Sequence, residues 1–223
     1  MSLFTSFVLQ ECETMKIKDV KNICRPLLPL LPGFVQQGFM LYNIPSDGLL
    51  RGICFDDSDF DKDAFYVWVF FLPLYVPRSH ISLTLGKRLA AGKRWNKTAD
   101  NLTAELTAAI HDEALPFLGQ AETAERFADA ITEISKAPRN PHVLQAKAYS
   151  FAKLGNNEMA INTLNELIDV LDSNEDAKFA WVRELRDSVE KFLAQIRSNP
   201  ASAQQQLDEW EAISRKNLRL SDN

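Results

Sequence analysis

Phe65-Tyr66-Val67-Trp68-Val69-Phe70-Phe71-Leu72 is a run of eight apolar residues dominated by aromatic and β-branched side chains. These types fit a pleated, half-buried surface better than a helix. As a strand, the run puts Tyr66, Trp68, Phe70 and Leu72 on one face and Phe65, Val67, Val69 and Phe71 on the other. An antiparallel sheet with one wet face alternates apolar with polar residues. The unbroken run therefore predicts a strand covered on both faces, by a leading helix on one and by a helical tail on the other. A dimer or partner surface is the alternative cover.

Turn signals frame this strand. The acidic turn Asp56 to Asp63 precedes it, and Leu49 to Phe55 before that reads as its hairpin neighbour. Pro45-Ser46-Asp47-Gly48 joins that strand to Gln37–Ile44. Downstream, Pro73 and Pro77 break the run, and Ile81, Leu83 and Leu85 alternate in His80–Leu85 as a fourth strand. Upstream, Ile17, Val20, Cys24, Leu27 or Leu28, and Leu31 recur at helical spacing until Pro26, Pro29 and Pro32 end the helix. Residues 1–14 contain Leu3, Phe4, Phe7, Val8 and Leu9 and read as an extra turn or strand, with Met15 as an alternative start.

Composition changes near Trp95. Residues 1–95 hold 14 of the 22 aromatics, six of the eight glycines and only three alanines, whereas residues 96–223 hold 20 alanines. Alanine is the best helix former. The fold class is therefore α+β: an N-terminal helix with about four antiparallel strands (1–95), then an all-α tail of about six helices (96–223) packing on the sheet. Pro116, Pro138 to Pro141, Asp172 to Asp176 and Pro200 divide the tail. Its apolar stripes are Leu102, Leu106 and Ile110 (capped by Thr98 or Asp100); Ala124, Phe127, Ala128, Ile131 and Ile134; a pair from His142 to Leu154 and Glu158 to Leu171; Phe179 to Ile196 in a helix from about Asp176; and Leu207, Trp210 and Ile213.

Leu144, Ala148 and Phe151, then Gly155 at a turn, then Ala160, Leu164 and Leu167, fall where a tetratricopeptide hairpin has its large, small and aromatic positions. Residues 141–172 thus resemble one such repeat. Lys147, Leu167 and Asp172 depart from the pattern, and a generic αα-hairpin shares much of it. The resemblance implies a scaffold or contact role. A leading helix ending in Pro32-Gly33-Phe34, then strands, then Trp95, then a helix closing in Ala114-Leu115-Pro116-Phe117-Leu118 is similar to bacterial domain families of unknown function. Some of their members are regarded as immunity proteins against polymorphic toxins. This likeness spans about residues 15–135 and carries no catalytic residues over.

Several function classes are disfavoured. Cys12, Cys24 and Cys54 are odd in number and lack CxxC spacing, which suits reduced thiols in a cytoplasmic protein. The longest apolar run, Ala64 to Val76, is interrupted by Pro73 and falls short of the roughly 20 residues that cross a bilayer. Met1 to Gln10 carries no charged residue, so no secretory signal is read there. Residues 1–95 carry 11 basic and 9 acidic groups, and residues 96–223 carry 14 basic and 21 acidic groups. Such an acidic tail disfavours a general nucleic-acid binder.

The candidate contact residues lie in two segments. From Ala64 to Ala99 there is no carboxylate, and Arg78, Lys87, Arg88, Lys93 and Arg94 form a basic patch suited to an acidic protein. Gly86 to Lys93 misses a P-loop by one residue, with Arg94 in place of Ser or Thr, so nucleotide binding is rejected. Asp57, Asp59 and Asp61 alternate like a calcium loop, but Lys62 and Trp68 stand where Gly and Glu are needed. They read as a solvated turn and an electrostatic contact point, with no metal. His80, His111 and His142 are far apart, and His111-Asp112-Glu113 is not HExxH. The expectation is a non-enzymatic protein-interaction module without catalytic residues or cofactor, in the form of a toxin-neutralising immunity protein, with an unidentified protein partner or a homodimer. The alternatives are an enzyme with a site around His80, Arg78 and the acidic turn, or an anion or nucleic-acid binder through residues 78–97.

Overall fold

The computed structural model describes residues 15–43, 47–173 and 179–220. A short helix, α1 (Ile17–Cys24), leads into β1 (Phe34–Gln37), β2 (Met40–Asn43), β3 (Leu49–Ser58), β4 (Asp61–Pro73), β5 (Gly86–Arg88) and β6 (Trp95–Asn96). The sheet is antiparallel, in the order β1-β2-β3-β4-β5, and β6 pairs with the start of β4. The architecture is α+β, with the strands N-terminal and the helices C-terminal. The first expected strand is split at Gly38, whose φ of +56° closes a tight β1–β2 hairpin. Residues 1–14, and Pro45 and Ser46 of the Pro45–Gly48 turn, lie outside the described residues.

His80–Leu85 is a correction: it forms no strand. Ser82 and Thr84 turn inward on their own segment, where Ser82 Oγ accepts the Thr84 N–H at 3.4 Å and meets Thr84 Oγ1 at 3.0 Å. Such local bonds compete with a ladder. Pairing passes instead to β5, where a Cβ on Gly86 would stand 2.7 Å from the Val69 carbonyl oxygen.

The two faces of β4 are covered differently from the expectation. Phe65, Val67, Val69 and Phe71 are buried in one continuous cluster that takes in Val20 and Cys24 of α1 as well as the tail helices. The leading helix and the tail thus share one face, because one core holds both. On the opposite face Phe70 and Leu72 are buried with Tyr42, Leu50 and Leu74, covered by Ile81, Leu83, Leu218 and Leu220. Gly52 makes room there for the Phe70 ring, which a Cβ would meet at 2.7 Å. Nearer the start of β4, Tyr66 and Trp68 stay only half-buried.

The tail comprises α2 (Leu102–Ala109), a π turn (Ile110–Ala114), α3 (Leu115–Gly119), α4 (Ala124–Ser135), α5 (Pro141–Lys153), α6 (Asn157–Asp172), α7 (Ala180–Ser198) and α8 (Pro200–Asn217). No break occurs at Pro116, which lacks the N–H that an α-turn needs; the Leu115 N–H reaches back to the Ile110 carbonyl instead. α2 starts at Asn101 rather than at a Thr98 or Asp100 cap. Thr123, Asn140, Asn156 and Asn199 cap α4, α5, α6 and α8 by accepting backbone N–H groups. Phe179 precedes α7 and is exposed, as is Ile213, whereas Trp210 is stacked on Tyr149 with centroids 5.4 Å apart. Ala148 and Ala160, both fully buried, let α5 and α6 approach closely. The sheet is tied to this hairpin by Tyr75, whose hydroxyl lies 2.6 Å from Ser150 Oγ in the core.

Candidate interaction surface

Strand alternation divides the basic segment between two sides of the sheet. Lys87 pairs with Val69 and Arg88 with Trp68, so their side chains point to opposite faces. Lys87 lies on the helix side, over the Phe117 ring at 5.5 Å and 4.0 Å from Glu113. Lys93 pairs with Glu105 at 2.7 Å and covers the Trp95 ring. Their charges are thus met by the helical region, and Lys97 is met by Asp63 at 3.7 Å.

Arg88 is different. Its guanidinium lies 3.9 Å from the Tyr66 ring centroid and 4.9 Å from that of Trp68, on the face the helices do not cover. The Trp68 indole N–H donates to Asp56 Oδ2 at 3.1 Å, which fixes the ring beside it. A cross-sheet row runs Gln37, Met40, Cys54, Trp68, Arg88, with Asp56 and Tyr66 paired in the next row toward the hairpin tip. Among the described residues neither Arg88 nor Arg94 is in an ion pair. An exposed cation stacked on half-buried aromatics, with a bonded carboxylate alongside, is a surface of mixed character that a polar partner can meet.

The remaining candidates lie elsewhere. Arg78 sits against α8, where its N–H donates to Ser214 Oγ and its carbonyl accepts from Asn217. Asp57 accepts the Met15 N–H at 2.8 Å just ahead of α1, and Asp61 accepts the Asp63 N–H in the turn. Asp59 is exposed beside Phe60, the most exposed large apolar side chain among the described residues at 87%. The acidic turn and residues 78–80 flank opposite ends of β4, roughly 40 Å apart at about 3.3 Å per residue. The enzyme site imagined from His80, Arg78 and that turn is therefore not assembled. His80 is exposed and its Nδ1 meets only Ser79 Oγ, at 3.2 Å, among the described residues.

Burial pushes the thiols of Cys24 and Cys54 up to about 12, in Cys54 with help from the Asp56 charge, so both stay protonated and unreactive near neutrality. No group of three His, Cys, Asp or Glu side chains converges as metal ligands among the described residues. No helix among them is long and apolar enough to cross a membrane.

The sequence reading put Asp56 in a solvated acidic turn but did not separate Tyr66 and Trp68 from the buried residues of β4. The signal lay in the polar atoms: Tyr66 and Trp68 carry one each and Phe70 and Leu72 none, so the first pair suits a wet end and the second a dry one. Comparisons with protein-family models, with curated proteins and with solved structures return no match to this chain.

Proposed function

We propose that this chain is a non-enzymatic protein-binding module that meets an acidic partner through Arg88, Tyr66 and Trp68, with Arg94 adding charge at the β5–β6 edge. One observation carries the reading: with Lys87, Lys93 and Lys97 paired off, Arg88 and Arg94 are the exposed cations of the acid-free segment that lack an ion pair among the described residues, and Arg88 caps a half-open aromatic face. Aromatic and arginine side chains in a partly desolvated patch are what interface hot spots favour. The resemblance of residues 15–135 to families with immunity members gives the partner its class, a toxin neutralised by binding. The α5–α6 hairpin, in its tetratricopeptide-like form, supports that surface from the opposite side of the core.

The test is the association rate of a captured partner with wild type and with the double variant Arg88→Gln, Arg94→Gln. The variant should associate several-fold more slowly at low salt, and the difference should shrink as ionic strength rises. An association rate indifferent to both the substitutions and salt defeats the proposal. Self-association lost in the variant would assign the same surface to a homodimer instead.

A further inference from the structure

We propose that an acidic segment of the partner binds as an added strand along the free edge of β5, its carboxylates toward Arg88 and its apolar side chains in a cleft between β5 and the α3–α4 corner. This rests on the acidic-partner reading above and gives the partner's binding segment its form.

The edge follows from the ladder. β5 ends the sheet order, with β4 on one side and no strand on the other among the described residues. The Phe71 N–H donates to the Leu85 carbonyl at 3.0 Å and the Leu89 N–H to the Val67 carbonyl at 2.8 Å. Main-chain groups alternate sides along an antiparallel strand. Leu85, Lys87 and Leu89 therefore turn theirs to β4. Gly86 and Arg88 turn theirs outward, where no group among the described residues bonds them. Just past β5 the chain is pinned by Glu113, whose carboxylate accepts the Ala90 N–H at 3.1 Å. The N–H and carbonyl of both Gly86 and Arg88 thus stand unpaired on a fixed strand, which is what an extended peptide needs in order to join a sheet.

The two sides of this edge differ. On the open face Arg88 is exposed and stacked over Tyr66 and Trp68. On the helix side lies a cleft of about 610 Å³, floored by the buried Phe117 and Ile134 and lined also by Ala130 and Lys87. Gly86 lines it too and has no side chain, so it does so with main chain, and the cleft runs along the free edge. The Lys87 ammonium is engaged by Glu113 at 4.0 Å, and the charges of Glu133 and Lys136 in the same cleft offset each other. The cleft itself therefore favours apolar groups.

A strand sends alternate side chains to opposite faces. The residue opposite Arg88 presents its side chain beside the guanidinium, and the next one turns into the cleft. The matching occupant alternates acidic and apolar residues. A second copy of β5 does not fit, because it would set Lys87 and Arg88 against like charges.

The experiment titrates a blocked, fluorescein-labelled hexapeptide of alternating glutamate and valine into the intact protein, read by fluorescence anisotropy and amide NMR. Binding should saturate. The Gly86 and Arg88 amides should then exchange more slowly, while that of Lys87, already bonded to β4, should not change. In antiparallel addition the glutamates turn their N–H groups to β5 and the valines turn theirs away. N-methylated glutamates should weaken binding by about tenfold or more, through lost hydrogen bonds to the Gly86 and Arg88 carbonyls. N-methylated valines should be tolerated. Lysine in place of glutamate should abolish binding, and Ala130→Gln, which fills the cleft, should weaken it several-fold at an unchanged melting temperature. Binding indifferent to which amides are methylated, or without slowed exchange at Gly86 and Arg88, overturns the strand addition, as does a peptide that does not bind. If Arg88→Gln with Arg94→Gln still slows a captured partner in any of those cases, the edge inference falls and the acidic-partner surface stands; loss of both effects defeats the two together.

Discussion

Truncating Phe71 and Trp68 separately distinguishes the two faces of the same strand. Phe71 is fully buried between Phe117 of α3, at 5.2 Å, and Phe127 of α4, at 5.6 Å. Phe71→Ala removes a ring whose cavity backbone and neighbours cannot close, at about 3–5 kcal/mol, and the lost aromatic pairs bring the expectation toward the upper end. A chain of this length loses roughly 2–4 °C of Tm per kcal/mol, so the drop should be about 10–15 °C. Trp68 is only half-buried, bonded to Asp56 and capped by Arg88. Removing it costs roughly half of a fully buried ring, about 1–2 kcal/mol, because water replaces its open side. The Tm should fall by only about 2–8 °C. Differential scanning calorimetry of the two variants reads both numbers. Equal drops, or a larger one for Trp68→Ala, would show that the face of Tyr66 and Trp68 is as closed as the helical side and would refute the two-faced account.

Other perturbations test the joints of the fold. Ser150→Ala strips the Tyr75 hydroxyl of its 2.6 Å partner in the core and should cost about 1–3 kcal/mol in urea unfolding; a following Tyr75→Phe should recover part of that loss. Glu113 accepts the N–H of Ala90, whose φ is +50° beside Ala91 at +52°. Glu113→Ala should therefore cost more than the about 0–1 kcal/mol expected for Lys87→Ala, and should speed amide exchange at Ala90. The unfolded chain loses its thiol protons near pH 9, whereas Cys24 and Cys54 hold theirs to about 12. Rising pH thus favours the unfolded state, and stability should decline across that window, which Cys24→Ala with Cys54→Ala should flatten.

What was legible in the chain divides along physical lines. The helices of the tail could be placed because a stripe such as Ala124, Phe127, Ala128, Ile131 and Ile134 repeats over about three turns, and Pro141 marks the start of α5. The short edge strands could not, since Gly86-Lys87-Arg88 and Trp95-Asn96 carry no period and owe their conformation to pairing with β4. Alternation in Ile81, Leu83 and Leu85 misled for the opposite reason: Ile81 and Leu83 do face the apolar cluster, but as a loop laid over it. Basic residues close in sequence were read as one patch, yet a strand sends Lys87 and Arg88 to opposite sides.

Photo-crosslinking in cells from Tyr66 tests the central claim most directly, with a benzophenone amino acid at that position and, as control, at exposed Glu184 of α7. The half-open sheet face beside Arg88 should crosslink to one acidic protein, and the yield should fall when Arg88 is changed to Gln. A partner captured from Glu184 and never from Tyr66, or a Tyr66 yield indifferent to Arg88→Gln, would contradict the account and move the binding surface to the helices.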